Sequence, residues 1–163
     1  RMAHVLGIDK DAGARVCHGR WAFKAQDQEG VIPAGAWVKP KEHLYLTDGK
    51  AKVLMASETE TGEALPMVCV NRFGTGKGIY LSSFQVGPEN IRMLYQLLRY
   101  AGGEGITGLY MTDNLYTECA YYPASRKLVV INNSGQEQSA SVPTEEGVQR
   151  VTMAPYDTVF VEL

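Results

Sequence analysis

The chain has 163 residues, 45% of them hydrophobic and 21% charged, enough for one domain with a core of its own or for one and a half small ones. A net charge of -2 supplies no long-range field that would gather nucleic acid or anionic lipid, and neither is expected as a partner. A membrane helix is excluded because no run approaches ~20 apolar residues; a disulfide framework or zinc site is excluded because the three cysteines are widely spaced without a CxxC.

A cytoplasmic location is the simplest home for such a chain, and its start lacks the basic-then-apolar layout of a signal peptide. Arg1 is no natural initiator, so a fragment or processed piece of a longer protein is expected. Residues 4–50 read as short strand-like pieces and turns. Residues 10–13 connect 4–8 to 15–23, and Gly30, Pro33, Gly35 and Pro40 break up the stretch beyond residue 23. Two strand pieces, 44–46 and 53–55, flank a turn centred on Asp48-Gly49. Residues 57–63 form a polar acidic loop. Then come two apolar runs, 67–70 and 79–81, on either side of the glycine-rich turn 74–78, the signal of a β-hairpin.

A helix over 88–101 comes next, with Pro88 at its first position and Gly102-Gly103 as its stop. Ile91, Leu94, Tyr95, Leu98 and Ala101 repeat at helical spacing, and Met93, Leu97 and Tyr100 widen the stripe. Past residue 105 the strand candidates are 109–111, 117–122, 127–131, 138–142, 148–151 and 158–161. Turn signals between them at intervals of roughly ten residues indicate a small antiparallel β-sandwich or barrel.

Gly74-Thr75-Gly76-Lys77-Gly78 invites a phosphate-loop reading, but a Walker loop needs a helix after its lysine, and here a strand takes that place. Cys17-His18-Gly19-Arg20-Trp21 gathers a thiol, a base, a cation and an indole. Adjacent residues of an extended chain point to opposite faces, which argues against a Cys–His pair. His18, Arg20 and Trp21 are candidates for a domain-contact or ligand-facing loop, the plain alternative being packing by Trp21 and Cys17. Asn71 and Arg72 share that candidacy at the end of the first hairpin strand, beside a simple turn-capping role. Glu58, Glu60 and Glu63 read as solvated charge, because a paired-carboxylate site needs two acids held ~5–10 Å apart across a substrate. Tyr121-Tyr122 fits either a sugar-stacking surface or the rim of a core. No catalytic constellation, metal site or cofactor site emerges, which favours an accessory or binding portion of a larger enzyme.

Four stretches carry a resemblance. They are His4-Val5-Leu6-Gly7-Ile8-Asp9 leading to Arg15-Val16-Cys17-His18-Gly19-Arg20-Trp21, then residues 65–84, then Asp113-Asn114-Leu115-Tyr116-Thr117-Glu118-Cys119-Ala120-Tyr121-Tyr122-Pro123, and residues 128–133. Together they resemble the C-terminal part of the lacto-N-biose phosphorylases, or 1,3-beta-galactosyl-N-acetylhexosamine phosphorylases, of glycoside hydrolase family 112. The hairpin and helix look like the last segment of a glutamine-amidotransferase-like α/β domain, which implies a sheet that begins in residues missing from this chain and so exposed apolar area along the helix, or a self-associated or swapped arrangement that hides it. The resemblance implies an α+β chain: residues 1–103 end that middle domain and residues 104–163 form a small C-terminal β-sandwich. It implies as partners an upstream catalytic (β/α)-barrel of the same protein, inorganic phosphate, a β-galactoside and a second copy in a homodimer. The reaction it implies is inverting phosphorolysis of a galactosyl-N-acetylhexosamine, or in some subgroups a galactosyl-rhamnose, to α-galactose 1-phosphate without metal or organic cofactor. No catalytic residue carries over, since a barrel of ~200 residues or more has no room here. A free-standing carbohydrate-binding or oligomerisation module is the alternative.

Overall fold

The structure, a computed structural model, describes residues 2–10, 24–25, 27, 30–41, 44–60, 62–103 and 108–163. It divides into two units, Arg1–Ile106 and Thr107–Leu163. Its described residues are mostly antiparallel sheet with few helices, an α+β arrangement.

The first unit opens with a short helix, α1 (Met2–Leu6), and a strand, β1 (Ile8–Lys10), antiparallel to β2 (Leu44–Leu46). Strands β3 (Lys52–Glu58), β4 (Ala64–Phe73) and β5 (Gly76–Leu81) form an antiparallel meander, and helix α2 (Pro88–Gly102) comes after it. Residues 4–6, expected as strand-like, are helical. Gly7 ends that turn at φ +70, where a Cβ would stand 2.7 Å from that of Ala51, so both the backbone and the space require glycine. The Asp48 turn is present, with its carboxylate accepting from the Lys50 N–H at 3.0 Å.

Strand β4 is an unbroken apolar run and not an alternating one because apolar groups cover both faces. Val68 and Val70 cluster with Met93 and Leu97 of α2 and with Val31 and Val38, while Cys69 joins Ile8, Leu46, Ala51 and Val53 in a second cluster. Pro66 is tolerated in this central strand because β5 supplies partners only from Val68 onward and β3 is irregular between Val53 and Ala56. The β4–β5 turn is shorter than expected. It consists of Gly74-Thr75, with Gly74 at φ 60 and Phe73 opposite Gly76, so Gly76, Lys77 and Gly78 belong to the strand. The acidic stretch is likewise shorter: Ser57 and Glu58 finish β3, and the Thr59 N–H closes the loop on the Glu63 carbonyl at 2.8 Å.

Helix α2 begins and ends as its sequence dictates, with Gly87 before Pro88 and Gly103 at φ 82 after the last turn. The face it buries is another matter. Asn90, Met93 and Leu97 turn inward, whereas Ile91, Leu94, Tyr95 and Leu98 are exposed. Two rows of the helix have helical spacing, and Asn90 marks the inner one. Its Oδ1 accepts from the Trp37 N–H at 2.9 Å, and its Nδ2 donates to the Gln85 carbonyl at 3.0 Å.

The second unit holds every strand the sequence marks from residue 117 onward: β6 (Thr117–Tyr122), β7 (Lys127–Asn132), β8 (Gln138–Thr144), β9 (Gly147–Met153) and β10 (Thr158–Glu162). Residues 109–111 are not a strand; Tyr110 takes φ 61 and donates its N–H to the Pro143 carbonyl at 2.7 Å. Strand β7 lies between β10 and β6, and β8 pairs with β9. Leu128 and Val130 from the first sheet meet Ala140, Val142 and Met153 from the second in one core.

Candidate functional site

Of the residues the sequence singles out, His18, Arg20 and Trp21 lie outside the described residues. Asn71 and Arg72 are neighbours on β4 with opposite environments. Asn71 is buried; its Nδ2 donates to the carbonyls of Val5 at 2.9 Å and His4 at 3.3 Å, and its Oδ1 is buried without a hydrogen-bond partner. Those carbonyls belong to the last turn of α1, where a helix leaves carbonyls unserved. Asn71 is therefore the clamp that fastens α1 to β4. Close approach completes the fit, since a Cβ at Gly78 would stand 2.7 Å from the Val5 carbonyl oxygen. Arg72 is exposed, opposite Lys77 across the hairpin.

Lys77, the cation of the glycine-rich turn, is committed to the fold. Its Nζ donates to the Tyr100 carbonyl at 2.7 Å and lies 4.5 Å from the centre of the Tyr100 ring. An ammonium at the carbonyl end of a helix is favoured by both hydrogen bonding and the helix dipole. Replacing Lys77 with methionine is expected to destabilise the first unit by about 1 kcal/mol, because the Tyr100 carbonyl loses its charged donor and keeps the weaker bond from the Gly103 N–H at 3.2 Å. Thermal unfolding, with amide exchange at the end of α2, measures it; an unchanged midpoint and unchanged exchange would refute the cap.

Cys69 pairs with Tyr80 across the hairpin in the second apolar cluster. Burial pushes its thiol from 9.0 up to about 12. Burial also raises the Tyr80 phenol, with the Cys69 charge adding to it. Because the folded state holds the thiol proton more tightly, stability is complete below pH ~9 and falls as pH rises toward 12. The thiolate is the nucleophile, and burial keeps Cys69 in its thiol form at pH 8. Mass mapping after iodoacetamide at pH 8 should find Cys69 unmodified in the native chain and modified in urea. Native labelling as fast as in urea would contradict this.

The second unit spends its polar side chains on its own turns. Asn114 donates to Gln138 Oε1 at 2.8 Å and to the Ser139 carbonyl at 2.9 Å, and Asp113 Oδ1 accepts from the Ser141 N–H at 2.7 Å. Thr112 and Thr117 share a hydrogen bond, and Arg126 pairs with Glu146. Tyr121 stacks on Tyr110 with ring centres 4.0 Å apart, at the rim of the core, whereas Tyr122 is exposed. Sequence reading missed Asn132, which is buried and bonded through every polar atom of its amide. Nothing in Asn132-Asn133-Ser134-Gly135 separates it from an ordinary turn asparagine.

Among the described residues no group of three or more His, Cys, Asp or Glu side chains could hold a metal ion. No helix among them is long and apolar enough to cross a membrane. His4, the one described histidine, meets the Phe73 ring edge-on at 5.4 Å.

These features define an α+β chain of two separately cored units whose buried polar groups in the described residues serve the fold. Comparison supplies the family. The lacto-N-biose phosphorylase central domain matches residues 1–105, and the lacto-N-biose phosphorylase C-terminal domain matches residues 110–161. The chain belongs to the lacto-N-biose phosphorylase family. Over all 163 residues it is 42% identical to the D-galactosyl-beta-1->4-L-rhamnose phosphorylase of Lachnoclostridium phytofermentans, covering 100% of this chain and 22% of that protein. A 1,3-beta-galactosyl-N-acetylhexosamine phosphorylase of the same organism is 30% identical over 86% of this chain and 19% of its own length. The one from Bifidobacterium longum subsp. longum is 31% identical over 49% of this chain and 11% of its own. The chain thus spans about a fifth of the length of the first two relatives.

Proposed function

We propose that this chain is the non-catalytic C-terminal portion of a galactoside phosphorylase whose acid catalyst and sugar contacts lie on an upstream (β/α)-barrel of the same polypeptide. The observation that carries the reading is the end-to-end match at 42% identity to a galactosyl-rhamnose phosphorylase. In this reading residues 1–103 close an amidotransferase-like central domain, and residues 104–163 are a small β-sandwich. The separate cores of the two units support that division. Identity of 42% against 30% favours β-1,4-galactosyl-rhamnose over the N-acetylhexosamine disaccharides as substrate.

The whole enzyme's reaction is an inverting displacement. A phosphate oxygen forms a bond to the galactosyl anomeric carbon from the face opposite rhamnose. The bond to the rhamnose oxygen breaks as that oxygen takes its electron pair and a proton from a carboxylic acid, giving α-galactose 1-phosphate and rhamnose. This chain supports that chemistry by bracing the barrel. Arg72, exposed at the hairpin end, and His18, Arg20 and Trp21 are its contact candidates, while Asn71 is given over to α1.

Phosphorolysis assays separate the possibilities. The longer polypeptide that carries this sequence should release galactose 1-phosphate from galactosyl-rhamnose, and the 163-residue chain alone should not. Turnover by the isolated chain, with purity established by mass spectrometry, overturns the non-catalytic role. A coding sequence with no barrel upstream of Arg1 overturns the reading altogether.

A further inference from the structure

The outer face of α2 is apolar over more of its circumference than the unit around it uses. At 100° per residue, the buried row of Asn90, Met93 and Leu97 together with the exposed row of Leu94, Leu98, Ile91 and Tyr95 covers roughly 200° of the helix. A helix packed on one side needs a stripe of about 100°. The surplus is contiguous: Leu94 is 37% exposed, Leu98 64%, Ile91 50% and Tyr95 45%. Val86, 86% exposed, and Ile91 occupy the N′ and N4 positions that pack as a staple across a helix start. Neither is covered. On the far side the Arg99 guanidinium carbon lies 5.9 Å from the centre of the Tyr95 ring and begins a polar margin.

We propose that this face is an intramolecular docking surface, covered by an apolar surface of the upstream polypeptide of the same phosphorylase and not by a second copy of this chain. The inference rests on the reading given under Proposed function. Size decides between the two occupants. With the ~150–250 Å² of an aromatic side chain as an upper measure, the exposed parts of these five residues present about 400–700 Å² at most. A stable complex of separate proteins buries ~800 Å² on each partner, so a dimer held by this face alone falls short. Contacts between domains of one chain bury ~600–1,500 Å² in total, and tethering raises the effective concentration of the partner to about millimolar. A face of this size is sufficient there. The relatives have the chain to supply it, since this sequence matches only 22% of the galactosyl-rhamnose phosphorylase.

Hydroxyl-radical footprinting read by mass spectrometry, on the isolated chain and on the longer polypeptide, tests the proposal. Tyr95 and Leu98 should oxidise readily in the isolated chain, monomeric by sedimentation, and at least fivefold more slowly in the longer protein. Equal oxidation in the two overturns the docking. So does an isolated chain that dimerises with these residues protected, which would assign the face to a second copy. Phosphorolysis by the same longer protein is scored separately: protection without phosphorolysis upholds the docking and overturns the substrate reading, and phosphorolysis without protection does the reverse.

Discussion

Replacing Asn132 with alanine is expected to lower the stability of the second unit by about 3–5 kcal/mol. The amide sits 1% exposed at the end of β7. Its Nδ2 donates to the carbonyls of Gln136 at 2.7 Å and Ala154 at 2.8 Å, with Met153 at 3.4 Å. Its Oδ1 accepts from the N–H and hydroxyl of Ser134 at 2.9 and 2.8 Å. One side chain thereby holds the β7–β8 turn and the β9–β10 connection together. Alanine leaves the Gln136 and Ala154 carbonyls and the Ser134 N–H without these bonds, and each such loss costs about 1–3 kcal/mol. A unit the size of Thr107–Leu163 holds ~3–9 kcal/mol in all. The substitution therefore removes a third or more of its stability, equivalent to a midpoint lower by ~15–30 °C. Amide spectra of the full chain should show the resonances of residues 108–163 collapsing on mild heating while those of β3–β5 persist. A loss under ~1 kcal/mol would mean that the network is replaceable.

The second unit is the more legible half. Its strands alternate buried and exposed residues, as in Leu128, Val130 and Asn132 on one face of β7, and turn residues punctuate them. Local pattern and tertiary environment agree there, so reading one gives the other. In the first unit they part company. Residues 2–6 are too few to show a helical period, and what holds them is an asparagine on β4, distant in sequence. Helix α2 is legible in its bounds and its excess of apolar surface, but two rows satisfy the same spacing. Which row faces the sheet is decided by Asn90 and its bonds to Trp37 and Gln85, which no periodicity encodes. The candidate site is legible only through likeness to a family. The residues offered for it divide by environment: Asn71 and Lys77 are engaged inside the fold, and Arg72 lies on its surface.

The clamp on α1 yields a sharper result. Changing Asn71 to aspartate removes a donor and puts a carboxylate where the amide now gives hydrogen bonds to the Val5 and His4 carbonyls at 2.9 and 3.3 Å. Three acceptors then face one another in a site 4% exposed, at the negative end of a helical turn. An uncompensated buried charge of this kind destabilises by about 3–5 kcal/mol at neutral pH. The new carboxyl escapes part of that by staying protonated, with a folded-state pKa raised above its unfolded ~3.9. The folded variant then binds more protons than the unfolded one, so stability is highest below pH ~4 and is lost as pH rises through the raised value. Asn71→Ala is the reference, since it removes the same donor without adding charge and should cost about 1–3 kcal/mol at every pH. Urea unfolding of both variants across pH 4.5 to 8 separates the terms: the aspartate variant should converge on the alanine variant in acid and fall at least ~2 kcal/mol below it at pH 8. A gap that does not change with pH would show that the His4 and Val5 carbonyls do not face this side chain in solution.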